Sequence, residues 1–209
     1  MPLADYQHVF QPAADPAAPP LLLLHGTGGN ERDLLPLGRT LSPGAALLSP
    51  RGKVSERGMA RFFARLAEGV FDPAEIVRRT GELAGWLAEA AAHHRLDPAR
   101  LLAVGFSNGA NIAATLLRLH PALLGGAILF RPMVVFDRPA VPGSLRGKRA
   151  LIASGSADPL VPPDHPPRLA ALLRAGGATV ALHAEPVGHG LTAGDVTAAQ
   201  NWLKSPPAG

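Results

Sequence analysis

Three residues carry the side chains of a nucleophile, an orienting acid and a base, and they occur in the order Ser107, Asp158 and His189. A serine hydroxyl becomes a useful nucleophile when an imidazole within hydrogen-bond reach takes its proton. A carboxylate fixes the tautomer of that imidazole and stabilises its charged form. If the fold brings the three together, they predict acyl transfer through an acyl-serine intermediate.

Ser107 lies within a G-x-S-x-G motif, from Gly105 to Gly109. An apolar run at 101–104 precedes it, and a helix-forming run at 113–119 follows it. A strand that turns directly into a helix at a serine is the setting of a nucleophile elbow. The pentapeptide alone would occur by chance in roughly one chain in six of this glycine content, so the flanking strand and helix carry the prediction.

The other candidates also follow predicted strands. Asp158 comes after the strand at 149–154, and His189 comes after the strand at 179–184. A glycine-rich segment at 26–29 follows the strand at 21–25. Because active sites of open parallel sheets lie at the carboxyl ends of the strands, we expect these groups to meet. We assign the backbone N–H groups of Thr27 and Asn108 as the donors that hold an oxyanion.

The order of predicted elements indicates the fold class. Further strands are predicted at 6–10, 45–49 and 125–130, and helices at 31–41, 73–94, 163–175 and 192–203. The helix at 73–94 is predicted to bury Ile76, Val77, Leu83, Trp86 and Leu87. Residues 59–68 also have helical spacing, and 205–209 is expected to fray. Strands and helices that alternate in this way predict a single α/β domain (1–209). Its mostly parallel twisted sheet is expected to be covered by helices on both faces, with no large lid domain.

Composition excludes several classes of function. The formal net charge is +4, but the basic residues are scattered singly or in pairs and aromatic residues are few, so nucleic acid binding is not expected. The chain has no cysteine, so disulfides and thiolate chemistry are excluded. No apolar run approaches the length of a bilayer span, and the first residues lack the pattern of a signal peptide. We therefore expect a cytoplasmic protein without stable membrane insertion.

The roles predicted for Asp158 and His25 each have an alternative. Asp137 follows the preceding strand, a position that some hydrolases use, and Asp164 has the position of a helix N-cap. Asp158 is preferred over both. His25 is expected to hold the glycine-rich loop by hydrogen bonds, and a direct catalytic role is the alternative.

The segment from 51 to 65 is the expected source of substrate selectivity. Arg51 and Glu56 are expected to pair and to fix this loop. An apolar acyl or aryl pocket would be lined by the candidates Phe62, Phe63, Phe71 and Met133.

Motifs along nearly the whole chain carry a resemblance. They are HGTGGNE at 25–31, SPRG at 49–52 followed by Glu56, Gly58 and RFF at 61–63, EGVFD at 68–72, GFSNGAN at 105–111, RPM at 131–133 and GHGLT at 188–192. The chain resembles the carboxylesterase/phospholipase family of compact bacterial α/β-hydrolases, and is most similar to its hydroquinone-associated esterase branch. The resemblance implies the α/β-hydrolase fold and a serine esterase with no metal and no organic cofactor. One departure is the sequence after RPM, where a shorter, more proline-rich turn is expected.

These observations predict a serine carboxylesterase whose partner is a small-molecule ester, small to medium in size, with aryl esters included. Hydrolysis of lysophospholipids or acyl thioesters is the neighbouring alternative, and it requires a long apolar groove. A non-catalytic member of the fold that binds an aromatic ligand is a further alternative. A homodimer is left open, and no residue by itself indicates a link to quinones.

Overall fold

The computed structural model describes residues 2–205, so most of the segment predicted to fray lies outside the described residues. The strands are β1 (His8–Gln11), β2 (Leu21–Leu24), β3 (Leu47–Pro50), β4 (Val54–Glu56), β5 (Met59–Arg61), β6 (Leu102–Phe106), β7 (Gly126–Phe130), β8 (Arg149–Gly155) and β9 (Thr179–Glu185). The α-helices are α1 (Leu35–Leu41), α2 (Pro73–His93), α3 (Asn108–Leu119), α4 (His165–Ala175) and α5 (Ala193–Lys204). Short 3-10 helices lie at Leu3–Asp5 and Pro121–Leu123.

Seven strands form the central sheet in the order β1-β3-β2-β6-β7-β8-β9. Only the β1–β3 pair is antiparallel, and every other neighbouring pair in this sheet is parallel. Strands β4 and β5 form a separate hairpin. The predicted fold class is confirmed, because the described chain is a mostly parallel sheet with helices and carries no large extra domain.

Strand β2 shows why the apolar runs are continuous. Leu22 and Leu24 face a core shared with α2, α3 and α4, whereas Leu21 and Leu23 face a second core shared with α1 and α5. A strand covered on both faces needs apolar side chains at every position. The result is a rigid central sheet whose carboxyl edge carries the candidate functional residues.

The helical spacing at 59–68 is misleading, because the structure has the β4–β5 hairpin there. Arg57 and Gly58 form its two-residue loop, with φ of 52° and 82°. Positive φ at both central residues is what the type I′ hairpin turn requires. The glycine supports that turn, but an arginine at its first position is a weak signal.

Three smaller differences concern helices. Helix α1 begins at Leu35 rather than at residue 31, because the side chain of Asn30 accepts from the backbone N–H of Arg32 at 2.8 Å and forms a turn there. Val77, predicted on the buried side of α2, is 43% exposed. Asp164 precedes α4 but makes no side-chain cap hydrogen bond.

Among residues 2–205, no helix combines the length and the apolar character that a membrane span requires.

Candidate active site

Ser107 lies at the junction of β6 and α3 in a strained backbone conformation, with φ of 52° and ψ of −115°. The flanking glycines make this junction sterically feasible. A Cβ atom on Gly105 would lie 2.5 Å from the carbonyl oxygen of Gly109, and one on Gly109 would lie 1.9 Å from that of Leu24. The spacing of G-x-S-x-G therefore follows from the close approach of α3 to β2 and β6.

Ser107, His189 and Asp158 form a hydrogen-bonded chain. His189 Nε2 lies 2.9 Å from Ser107 Oγ, and His189 Nδ1 lies 2.7 Å from Asp158 Oδ2. An ionised carboxylate only accepts, so Nδ1 carries the hydrogen and Nε2 is left to accept from the serine hydroxyl. The other carboxylate oxygen of Asp158 accepts from the backbone N–H groups of Leu160 and Val161, which fixes its orientation.

The alternative acids lie elsewhere. Asp137 and Asp164 both pair with Arg168, at 2.9 Å and 3.2 Å. Their side chains are 65% and 60% exposed, whereas the side chain of Asp158 is wholly buried. Of the three carboxylates, only that of Asp158 hydrogen-bonds His189 within the described residues.

The two residues whose backbone amides are the predicted oxyanion donors lie at the same cleft as Ser107. Thr27 and Asn108 both line it. Within residues 2–205, no protein acceptor is hydrogen-bonded to the amide of either residue. Ser107 is the N-cap of α3, and its side chain makes no cap hydrogen bond. The positive end of the α3 dipole and these free donors are therefore available to an anion.

His25 makes the hydrogen bonds predicted for it. Its Nδ1 donates to the carbonyl oxygen of Gly26 at 2.7 Å, and its Nε2 accepts from the backbone N–H of Gly52 at 2.9 Å. Burial lowers the pKa of this imidazole below its ordinary value. A neutral His25 thus ties the glycine-rich loop after β2 to the segment after β3.

The predicted pair of Arg51 and Glu56 is wrong. Arg51 instead binds Glu31 through two hydrogen bonds of 2.5 Å and 3.1 Å, because β2 and β3 are neighbours in the sheet and their following loops meet. Burial of Glu31 would raise its pKa, but the Arg51 guanidinium holds that pKa below the usual range. Glu56 lies on the hairpin and contacts Arg65 at 2.7 Å.

A cleft of about 370 Å³ opens beside Ser107. Phe71 and Met133, two of the candidates for the pocket wall, line it. The prediction is wrong for Phe62 and Phe63, which are 3% and 0% exposed and lie in the core instead of among the cleft-lining residues. The ring of Phe62 packs on the imidazole of His25, and the ring of Phe63 packs edge-on against that of Phe71.

Arg131, which has no role predicted from the sequence, organises the loop of His189. Its side chain is wholly buried, and it follows β7 with a φ of 53°. Nε donates to the carbonyl oxygen of Gly188 at 3.2 Å, and Nη2 donates to that of Gly190 at 2.8 Å. Nη1 and Nη2 also donate hydrogen bonds to the carboxylate of Asp195. An arginine directly after a fully apolar strand was the available signal.

Asp195 joins this guanidinium to the start of α5. It forms a capping box with Thr192, in which each side chain accepts from the other residue's backbone N–H. Burial alone would raise the pKa of Asp195, but the hydrogen bonds and the charge of Arg131 hold it below its ordinary value.

The described residues include a cluster with metal-ligand spacing, His183, Glu185 and Asp195. Both carboxylate oxygens of Asp195 already bind Arg131, whose charge opposes a cation there.

Comparisons with known proteins agree with this geometry. No model of a known protein family matches the chain. A protein of Bacillus subtilis (strain 168) named "Putative hydrolase MhqD" is 47% identical over 184 residues, which cover 88% of this chain and 92% of that protein. The crystal structure of the Bacillus cereus carboxylesterase superposes with a TM-score of 0.91 at 47% identity, covering 96% of this chain and 94% of that one.

The chain belongs to the carboxylesterase/phospholipase family of α/β-hydrolases. The crystal structure of a carboxylesterase from Mesorhizobium loti agrees, with a TM-score of 0.83 and 37% identity over 89% of this chain and 88% of that one. The family predicted from the motifs is thereby confirmed, and relatives named hydrolase or carboxylesterase support an ester-hydrolysing enzyme.

Proposed function

We propose that the protein is a serine carboxylesterase that works through an acyl-serine intermediate. The observation that carries this proposal is the hydrogen-bonded chain Asp158–His189–Ser107, at 2.7 Å and 2.9 Å. It ends in a cleft lined by Thr27 and Asn108, whose backbone amides have no acceptor among the described residues. A protein that only binds a ligand has no physical need for all three side chains in this order. The names of its relatives support an ester as the substrate.

In the proposed reaction, Ser107 Oγ attacks the ester carbonyl carbon while its proton passes to His189 Nε2. The amides of Thr27 and Asn108 bind the oxyanion of the tetrahedral intermediate. Collapse of the intermediate breaks the ester bond, and His189 returns the proton to the departing alcohol. His189 then takes a proton from a water molecule, which attacks the acyl carbon. The acyl–Oγ bond breaks, the carboxylic acid leaves, and His189 returns the proton to Ser107 Oγ. Asp158 keeps the imidazole in the required tautomer throughout.

The size and the lining of the cleft favour small to medium esters as substrates, aryl esters included. Its volume of about 370 Å³ lies near the lower end of small-molecule sites. Phe71, Phe106 and Met133 supply an apolar wall for an acyl or aryl group. Arg61 and Arg65 line the same cleft. Charged groups at this position disfavour the long apolar groove that lysophospholipids or long-chain thioesters need.

Labelling with a fluorophosphonate probe, followed by peptide mapping, tests the proposal. We expect a single adduct on Ser107 and none on Ser107→Ala. A p-nitrophenyl ester series on the same protein then tests the substrate class, and short chains should be preferred. Phe71→Ala should shift that preference towards bulkier acyl groups. Failure of the folded protein to label would overturn the proposal, and a preference for long chains would move it to the lysophospholipase alternative.

A further inference from the structure

The β4–β5 hairpin contacts the loop that carries the first oxyanion donor. The backbone N–H of Gly28 donates to the carbonyl oxygen of Ala60 at 2.9 Å. The neighbouring residue of the hairpin, Arg61, donates from Nη1 to the hydroxyl oxygen of Thr27 at 2.6 Å. Two successive residues of the loop after β2 are thus held by two successive residues of the hairpin, one through the backbone and one through side chains.

The next residue of the same segment reaches the second oxyanion donor. The backbone N–H of Phe62 donates to Asn108 Oδ1 at 2.8 Å. The side chain of Asn108 is therefore anchored, while its own backbone amide has no acceptor among the described residues. The segment also packs directly against the backbone of Gly52, where an added Cβ atom would lie only 2.4 Å from the carbonyl group of Arg61.

Arg61 is itself fixed from behind. It is almost fully buried, and its Nε donates to the carbonyl oxygen of Phe63 at 3.1 Å. Glu56, on the opposite strand of the hairpin, lies 3.3 Å from Nε and balances the charge of the guanidinium. A planar guanidinium held in this way directs its remaining donors in set directions. One of those donors, Nη1, points at the hydroxyl oxygen of Thr27.

We propose that Arg61 is a positioning residue for the oxyanion hole. It holds Thr27 through the hydroxyl, and together with Ala60 and Phe62 it sets the distance between the two oxyanion amides. This inference rests on the proposed function. Oxyanion donors act when they lie about 2.7–3.1 Å from the place where the charge develops, so a small displacement of the loop lowers transition-state binding more than substrate binding.

Four variants and one matched control separate this role from others. Thr27→Val removes the hydroxyl acceptor but keeps the backbone amide and the branched shape. Arg61→Met removes the donor, and the double variant closes a cycle between the two. Asn108→Ala removes the anchor of the second donor but keeps its amide. Arg57→Met, at the exposed turn of the same hairpin, is the matched control for the loss of a positive charge.

We expect Thr27→Val, Arg61→Met and Asn108→Ala each to lower kcat for p-nitrophenyl acetate about tenfold while KM stays within about twofold, a smaller loss than removal of a whole oxyanion donor causes. The double variant should be no worse than the more damaging single one, because both substitutions break the same contact. Affinity for a trifluoromethyl ketone, which forms a tetrahedral oxyanion on the serine, should fall in parallel with kcat. Arg57→Met should behave as the wild type.

Wild-type kcat in Thr27→Val, or additive losses in the double variant, would overturn the inference. A rise in KM alone for Arg61→Met would also overturn it, because that would indicate direct contact with substrate. If Arg61→Met does not fold, Thr27→Val and Asn108→Ala decide the matter. Fluorophosphonate labelling of wild-type Ser107 keeps the two proposals apart: without labelling the proposed function fails, and with labelling but wild-type kinetics in the variants only this inference fails.

Discussion

Arg131 donates two parallel hydrogen bonds to Asp195, at 2.9 Å and 2.6 Å, and both side chains are wholly buried. The pair connects the end of β7 to the first turn of α5, and the loop of His189 lies between them. Because the same guanidinium also binds the carbonyl oxygens on both sides of His189, the ion pair fixes the position of the imidazole as well as the packing of α5.

Arg131→Met should lower the free energy of unfolding by about 3–5 kcal/mol, since it leaves the carboxylate of Asp195 buried and unpaired. The double variant Arg131→Met/Asp195→Leu should regain part of that free energy in urea unfolding, because it removes the uncompensated charge. Its kcat should stay low, since nothing then holds the carbonyl groups of Gly188 and Gly190. A double variant with wild-type kcat would show that Arg131 matters for stability alone.

Asp158→Asn should lower kcat by about 10³–10⁴-fold with little change in folding. The new amide donates to His189 Nδ1 and so favours the tautomer whose Nε2 cannot accept from Ser107. The matched control is Asp137→Asn, which alters an exposed carboxylate bound to Arg168. Equal activity losses in the two variants, measured as p-nitrophenyl acetate turnover, would contradict the assignment of the acid.

Gly109→Ala should prevent folding or cost several kcal/mol, because the added methyl group would lie 1.9 Å from the carbonyl oxygen of Leu24. Gly81→Ala is the matched control. Gly81 is an exposed residue of α2, and a Cβ atom there would meet nothing within 4 Å. This substitution should raise the free energy of unfolding by about 0.5–1 kcal/mol. Thermal or urea unfolding of both variants measures the contrast.

His25 makes stability depend on pH. Burial lowers its pKa in the folded state, so below the ordinary histidine value of about 6.5 the unfolded chain takes up the proton first. Stability should therefore fall as the pH drops from 7 through 6.5 and towards the lower folded pKa. His25→Gln removes this contribution and should flatten the slope of unfolding free energy against pH between 7 and 5. A slope equal to that of the wild type would contradict this role of His25.

Sequence patterns predicted the strands of the sheet and the loops that carry the candidate site residues, because both depend on local signals. The leucine run of β2 and the glycines around Ser107 each carry their own steric or hydrophobic reason. The apolar strands locate the loops of Asp158 and His189, and parallel pairing then brings those loops to one edge.

The sequence predicted side-chain partners poorly, because partners depend on which loops meet. The pairing of Arg51 with Glu31 follows from the adjacency of β2 and β3, which no local pattern reveals. The division between buried Phe63 and cleft-lining Phe71 depends on the direction in which the chain leaves the hairpin. That hairpin was missed because Arg57 occupies a position with positive φ that usually belongs to glycine, asparagine or aspartate.

Turnover of p-nitrophenyl acetate by Ser107→Ala, compared with the wild type, is the most direct test of Ser107 as the nucleophile. We expect kcat to fall by about three orders of magnitude or more, while the melting temperature and circular dichroism stay those of the folded wild type. Retained turnover by the pure, folded variant would contradict the assignment of Ser107 as the nucleophile, and with it the proposed acyl-serine mechanism.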